Sequence, residues 1–239
     1  MKKKILNKIY KNKIILGHNS SIRNPKMSKF ILLKNKNFDI FNPFKYLKYQ
    51  IKAQKFLRKC AMGGGIILFV GTKKQIQDII KKYANRVKMP YINFKWPAGL
   101  LTNIKNTKLT IKNKNFLKKQ KDRIYKHLSK KEKNLLNRKL EKLEKKFGTI
   151  YNMNKLPQAI IIVDVKKEAI ALKEANNKSI YTIGIVDTDS NPDNIDFPIP
   201  ANDDLSKSIN YILKNLTRSI KKGLRNRIKS KNFYEKKTI

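Results

Sequence analysis

The chain has 239 residues, of which 40% are hydrophobic, so it can bury a core and is not disordered throughout. Its formal net charge is +41, from 57 Lys and Arg against 16 Asp and Glu, and it contains one cysteine. A single cysteine excludes an internal disulfide and a multi-cysteine zinc site. The charge predicts a polyanionic partner, since clustered lysines gain affinity for phosphates by releasing counterions.

Residues 1–36 are rich in lysine, and Gly17, His18, Asn24 and Pro25 interrupt their short apolar pieces. We predict a basic N-terminal arm that lies on a partner. The first residues lack the Arg and Ser of a transit peptide and the apolar run of a signal peptide, so we expect synthesis inside the compartment of use. No apolar run in the chain approaches the ~20 residues of a membrane-spanning helix, and we expect no membrane partner.

Strand and helix patterns alternate after the arm. Apolar residues at helical spacing end at Gly63–Gly65, and Ile66–Val70 is a continuous apolar run, typical of a parallel strand covered on both faces. A helix and a second strand at Tyr91–Phe94 complete a βαβ unit. The glycines around the first strand fit neither a P-loop nor a dinucleotide-binding fingerprint.

The only tryptophan, Trp96, stands where the sheet pattern gives way to a lysine-rich helical pattern. Ser129 and Glu132 have the spacing of a capping box at the start of a helix. That helix has an apolar stripe spaced four, three and four residues, at Leu136, Leu140, Leu143 and Phe147. The stripe is typical of a coiled two-helix hairpin, which we predict as an insertion over 102–148.

Apolar strands resume at Ala159–Val163 and Tyr181–Val186, and each is followed by an aspartate, Asp164 and Asp187. Sheet, insertion and sheet again indicate a doubly wound α/β domain interrupted by the hairpin.

This α/β domain comprises residues 37–101 and 149–222. Its last amphipathic helix is capped by Asn202 and neighbouring aspartates. A basic C-terminal tail, 223–239, follows, and we interpret it as a phosphate-contacting segment.

Acidic residues concentrate in 156–204, which holds nine of the 16 and has a net charge of −5. We predict that this acidic edge faces solvent or another protein. Asp187 and Asp189 begin a run that resembles a calcium loop, but Pro192 stands where glycine is required. We expect no cofactor, with a loosely held magnesium ion as the open alternative.

Ordered motifs run through most of the chain. They are Gly17-His18 with Arg23–Met27, Ile67–Lys74, Lys95-Trp96 with Gly99–Asn103, Leu140–Glu144, Leu156-Pro157, Lys173–Asn176, Ile185–Pro192 and Ile199–Asp204. Together they resemble the bacterial-type family of the second protein of the small ribosomal subunit. The resemblance implies a flavodoxin-like parallel sheet with an inserted helical hairpin, and a non-enzymatic protein that contacts small-subunit rRNA and neighbouring ribosomal proteins. Three positions depart from the family pattern: Lys95 replaces the usual Arg, and Ala98 and Ala201 replace Gly.

The function predicted from these features is a structural constituent of the small ribosomal subunit of an organelle. The excess of Lys, Asn and Ile indicates an AT-rich genome, and we expect a mitochondrial ribosome, with a plastid ribosome as the alternative, and a gene in the organelle. The rival prediction is an α/β enzyme acting on nucleotides or RNA, based on Gly71–Lys74 and on Asp164 and Asp187. We expect no homo-oligomer.

The predicted RNA contacts belong to the arm, the first α/β helices, the corner at the tryptophan and the tail. They are Arg23, Lys26, Arg58, Lys73, Lys74, Lys95, Trp96, Asn103, Lys105, Arg225, Arg227 and Lys229. Trp96 has two interpretations, stacking on unpaired bases or filling a packed corner, and the packed corner is favoured because a Trp between a strand and a helix usually fills core. His18 is interpreted as a packing or phosphate-contacting residue, since no acidic residue is near it in sequence.

Overall fold

The computed structural model of the chain describes residues 2–35, 37–119, 123, 125, 128–147, 150, 153 and 155–235. The helices in these ranges are α1 (Lys2–Lys11), α2 (Pro43–Met62), α3 (Gln77–Arg86), α4 (Ile104–Lys119), α5 (Lys130–Phe147), α6 (Ala169–Asn177) and α7 (Ser206–Glu235). The strands are β1 (Ile31–Lys34), β2 (Asp39–Phe41), β3 (Ile67–Val70), β4 (Tyr91–Ile92), β5 (Ala159–Val163), β6 (Tyr181–Val186) and β7 (Phe197–Pro200).

The main sheet has five parallel strands in the order β4-β3-β5-β6-β7. Numbered along the chain from β3, this order is 2-1-3-4-5, the flavodoxin-like arrangement, so the predicted fold class is confirmed. Every residue of β3 and β5 is buried, as expected for strands covered on both faces. The edge strand β7 contains Pro198 and Pro200, which lack an N–H and are tolerated at a sheet edge.

Helix α7 contacts both α2 and α3. The sequence predicts an apolar face of Leu205, Ile209, Ile212, Leu216 and Ile220. The last four are completely buried, whereas Leu205 precedes the helix and is 39% exposed. The helix does not stop at Gly223 but continues to Glu235, so the expectation of a separate tail is corrected. Gly223 lies inside the helix where α7 approaches α2 so closely that a Cβ would not fit.

Several N-terminal residues are part of the core, which corrects the expectation of an arm separate from the α/β domain. Ile9, Ile14, Met27 and Phe30 are at most 2% exposed, and β1 pairs with β2 in a small antiparallel sheet. These four apolar side chains bury against the α/β domain, whereas Tyr10, Ile22, Leu32 and Leu33 and the described lysines of this segment are exposed. The predicted boundaries at 36 and 148–149, and residues 236–239, lie outside the described residues.

Helices α4 and α5 occupy the segment predicted as a hairpin and contact each other. Lys118 Nζ lies 2.7 Å from Glu144 Oε1 between them. The predicted capping box is confirmed: Glu132 Oε2 accepts from Ser129 N at 2.9 Å, and Glu132 N donates to Ser129 Oγ at 3.4 Å. In the part of the chain that the structure describes, no helix is both long and apolar enough to cross a membrane.

Candidate functional site

A cluster of charged side chains fills the edge of the sheet where the strands end. Doubly wound proteins hold ligands at this edge, where the strand order reverses between β3 and β5. Here Lys73, just after β3, places Nζ 2.6 Å from Asp164 Oδ2, 2.7 Å from Asp204 Oδ1 and 3.3 Å from Asp203 Oδ1. These carboxylates follow β5 and β7, so one lysine joins three loops across the crevice.

His18 extends the same cluster from the N-terminal segment. Its Nδ1 lies 3.1 Å from Asp187 Oδ1, and its Nε2 lies 2.8 Å from Asp204 Oδ2. A Cβ at Gly17 would lie 2.5 Å from Thr188 Cγ2, so only glycine permits this approach. The backbone N–H of His18 donates to Thr188 Oγ1 at 3.0 Å. The N-terminal segment is therefore fastened across the strand ends.

The pKa values in the cluster follow from these contacts. The contact with Asp187 raises the pKa of His18 to about 9, against the opposing effect of burial. Burial lowers the pKa of Lys73, but its contacts with Asp164 and Asp204 outweigh burial and raise the pKa above its ordinary value. Burial, followed by the neighbouring carboxylates, raises the pKa of Asp203 to about 8. At neutral pH His18 and Lys73 are therefore both cations, and Asp203 holds a proton more readily than an ordinary carboxyl does.

Lys73 is committed to this internal network, and its predicted phosphate contact stays a prediction. Asp164 and Asp187, on which the enzyme prediction relied, are occupied by Lys73 and His18. Among the described residues, no group of three or more His, Cys, Asp and Glu side chains is arranged to hold a metal ion.

Trp96 is 8% exposed and belongs to the hydrophobic core. Its Nε1 donates to Glu174 Oε1 at 3.0 Å, and Glu174 also accepts from Gly99 N at 2.7 Å and from Leu101 N at 2.9 Å. The structure thus favours the packed-corner interpretation, because the ring is enclosed, and a contact of Trp96 with RNA stays a prediction. The exposed aromatic residue at this corner is Phe94, which is 53% exposed.

The two departures from glycine need no unusual backbone. Gly99 has a φ of 82° and makes the turn after the corner, whereas neither Ala98 nor Ala201 has a positive φ. The local turn is therefore compatible with an alanine at both positions.

Two predicted contacts in the N-terminal segment have carboxylate partners within the chain. Arg23 Nη1 lies 3.1 Å from Oδ1 of the fully buried Asp39, so Arg23 compensates a buried charge. Lys26 Nζ lies 2.6 Å from Asp193 Oδ2. Both residues therefore have internal partners, and their phosphate contacts stay predictions; the Lys26 side chain is the more exposed, at 53% against 24% for Arg23.

The remaining predicted residues lie in separate places. Lys95, Asn103 and Lys105 are exposed at the corner that leads into the hairpin, and Lys74 is exposed after β3. Arg58, Arg225, Arg227 and Lys229 lie on α2 and α7, where Arg227 is half-buried against Gly64. The structure does not bring these two groups into one site.

The nine carboxylates of the acidic edge all have partners inside the chain, which sequence reasoning missed. Six of them contact cations: Asp164, Asp203 and Asp204 contact Lys73, Asp187 contacts His18, Asp189 contacts Lys166, and Asp193 contacts Lys26. Glu168 accepts from Thr72, Glu174 from the Trp96 corner and Asp196 from Thr182. These acids hold loops together rather than forming a free negative surface.

Comparison with known proteins gives a family model, ribosomal protein S2, that matches residues 9–223. The chain belongs to the ribosomal protein S2 family. Three curated S2 relatives, each named small ribosomal subunit protein uS2, come from bacteria. That of Karelsulcia muelleri (strain GWSS) is 47% identical over 205 residues, covering 85% of this chain and 92% of the relative. That of Flavobacterium johnsoniae is 40% identical, covering 88% and 84%. That of Francisella philomiragia is 42% identical, covering 83% of each chain.

Membership of the S2 family confirms the resemblance carried by the ordered motifs and confirms that the chain is a ribosomal protein and not an enzyme. Several of those motifs now have a structural reason. Gly17-His18 fastens the N-terminal segment, Trp96 and Glu174 form the corner, and Asp203 and Asp204 bind Lys73.

Proposed function

We propose that this S2-family chain is a structural component of the small ribosomal subunit that binds small-subunit rRNA and neighbouring ribosomal proteins. The family match over residues 9–223 carries the proposal, since the matched relatives are small-subunit proteins. The charge supports it independently, because a net charge of +41 repels itself in an isolated compact protein and is relieved by phosphates.

The distribution of charge also supports an RNA partner. Nine of the 16 acidic residues lie in the acidic edge and have partners inside the chain. Most lysines and arginines, by contrast, are exposed. The solvent-facing surface is therefore more positive than the sequence count alone indicates.

Contacts with neighbouring ribosomal proteins are part of the same proposal. The acidic edge receives less support as their docking surface, because its carboxylates already have internal partners. Asp193 and Asp204 keep the most exposed side chains among its ion-paired carboxylates, at 42% and 45%, and are the positions from which a neighbour's cation would be reached.

The proposal also concerns the type of ribosome that contains the chain, whether mitochondrial, plastid or bacterial. The lysine-rich composition supports an AT-rich genome, and a mitochondrial ribosome, with a plastid ribosome as the alternative, fits that composition. The three relatives above are bacterial, and the ribosome of a bacterium with an AT-rich genome would explain the composition equally well. The DNA flanking the gene distinguishes these alternatives. Organellar genes around it would support an organellar ribosome, and a bacterial chromosome would overturn that assignment.

Sedimentation tests the ribosomal role. A tagged chain is expressed in its own organism, and lysates are centrifuged through a sucrose gradient at moderate salt. We expect the chain to migrate with small subunits and to leave that fraction when the rRNA is digested. A chain that stays at the top of the gradient while intact small subunits migrate without it would overturn the proposal.

A further inference from the structure

Helices α2 and α7 contact each other and are almost free of acidic residues. Helix α2 carries six Lys and Arg and no Asp or Glu. Helix α7 carries nine Lys and Arg, and its one acidic residue is the last, Glu235. In a chain that uses its acids to pair internal cations, two helices that contact each other and carry a single acidic residue, at the end of α7, create a region of high positive potential.

A glycine sets how closely these helices approach. At Gly223 a Cβ would clash with the backbone carbonyl of Arg58 and would lie 2.9 Å from the Cβ of Ala61. Beside this crossing, and with its amide oriented to satisfy both ends, Asn226 accepts from Arg58 Nη2 at 3.1 Å and donates to Lys222 O at 3.3 Å. The close crossing thus brings cations from both helices to one place.

A groove of about 440 Å³ lies beside the crossing. Its cations are Arg218, Lys221, Lys222 and Arg225, and its other lining side chains, including Gln54 and Asn215, are neutral and polar. All four cations are exposed. Arg218, Lys222 and Arg225 are spaced four and three residues apart, so they follow one helix face over about 10 Å.

We propose that this groove is a docking site for the phosphodiester backbone of rRNA, an inference that rests on the proposed function above. Successive cations along a helix face suit a linear series of phosphates, and arginine presents a planar fork to phosphate oxygens. An acidic protein segment is the competing occupant. Protein interfaces rely on buried aromatic and aliphatic anchors, which this lining does not provide, so the observations favour RNA.

The test compares two triple variants that remove the same charge. The groove variant removes three of the four cations, by Arg218→Gln, Lys221→Gln and Lys222→Gln. The control replaces Lys167, Lys173 and Lys178 by Gln, three exposed lysines of the acidic edge. Binding to a small-subunit rRNA transcript is measured for the full chain between low and moderate salt. We expect the groove variant to flatten the plot of log affinity against log salt by about 2, and the control to change it by much less.

A third variant, Arg218→Lys with Lys221→Arg and Lys222→Arg, keeps the charge and should restore most of the slope. Equal slopes for the groove and control variants, with the unmodified chain binding RNA, would overturn the groove and leave the proposed function standing. An unmodified chain that binds no rRNA would overturn the proposed function itself. A groove variant that binds rRNA normally but assembles into subunits that lack a neighbouring protein would assign the groove to a protein instead.

Discussion

At the residue scale, Glu174 shows how one carboxylate organises a distant segment. It accepts hydrogen bonds from Trp96 and from the backbone N–H groups of Gly99 and Leu101, all more than seventy residues earlier in the chain. These donors are at the turn that leads into the hairpin. The orientation of the hairpin on the α/β domain therefore depends on one buried acidic side chain.

Glu174→Ala should leave three buried or half-buried donors without their acceptor. Each such donor costs about 1–3 kcal/mol, so we expect the free energy of unfolding to fall by about 3 kcal/mol or more. Because Trp96 is the only tryptophan, urea unfolding followed by its fluorescence measures this directly, and the folded-state emission should shift to the red as water reaches the ring.

The matched control for this variant is Lys173→Ala, at the exposed neighbouring position. It should change the free energy of unfolding by less than about 0.5 kcal/mol and leave the emission unchanged. A loss in Glu174→Ala no greater than that of the control would contradict the role of this carboxylate.

His18 makes the stability of the chain depend on pH. Its pKa is raised from 6.5 to about 9 in the folded state, so the stabilisation is fully present below pH 6.5 and is lost as the pH rises through 9. The raised pKa of Asp203, about 8, acts in the same direction, since the folded state binds a proton there that the unfolded state has released.

His18→Gln should therefore lower the free energy of unfolding by about 2 kcal/mol at pH 6 and by much less at pH 10. Urea unfolding at a series of pH values checks this. Lys11→Gln, which removes an exposed cation from α1, serves as the control and should give a difference that does not vary with pH. A His18→Gln difference that is equally flat would show that the contacts with Asp187 and Asp204 contribute no net stability.

At the element scale, the crossing of α2 and α7 depends on Gly223. Two effects of a Gly223→Ala substitution oppose each other. Alanine favours a helix over glycine by about 1 kcal/mol, but here its Cβ would clash with the carbonyl of Arg58. Backbone cannot move aside as a flexible side chain can, so the clash should outweigh the helix preference.

We expect Gly223→Ala to lower the free energy of unfolding by about 1–3 kcal/mol. Lys214→Ala, at an exposed position on the same helix, should change it by less than about 0.5 kcal/mol. Thermal unfolding of both variants measures the difference. A Gly223→Ala variant more stable than the unmodified chain would show that α2 and α7 can move apart slightly without lowering the free energy of unfolding.

The elements that the sequence predicted well are those whose signal is local. The apolar run of β3, the stripe of α7 and the capping box at Ser129 depend only on neighbours along the chain, and each is present. The prediction of a separate tail from residue 223 was wrong because glycine commonly ends a helix. Only the contact with Arg58 explains why a glycine is needed inside α7.

The candidate site was less predictable because its partners are distant in sequence. His18 contacts Asp187, Lys73 contacts Asp203, and Arg23 contacts the buried Asp39. Considered alone, Lys73 and Arg23 looked like phosphate contacts, and His18 looked like a packing or phosphate-contacting residue. Composition indicates that a chain is cationic, but only the fold shows which cations are used internally and which remain for a partner.

At the scale of the whole molecule, charge is divided between interior and surface. The acids of the acidic edge pair with cations and donors that hold the N-terminal segment, the strand ends and the hairpin corner together. The cations left over cover the outside, especially α2 and α7. Internal ion pairs and hydrogen bonds stabilise the fold of such a protein. Its positive surface charge is one that a polyanion such as rRNA would neutralise.

The stoichiometry of the chain in purified small subunits tests its structural role in the ribosome most directly. Small subunits are isolated from the source organism, washed at moderate salt, and quantified by mass spectrometry against other small-subunit proteins. We expect close to one copy of the chain per subunit, with loss as the salt is raised further, because phosphate contacts weaken with salt. Trace amounts in intact subunits, with most of the chain in an RNA-free pool, would contradict a structural role in the particle.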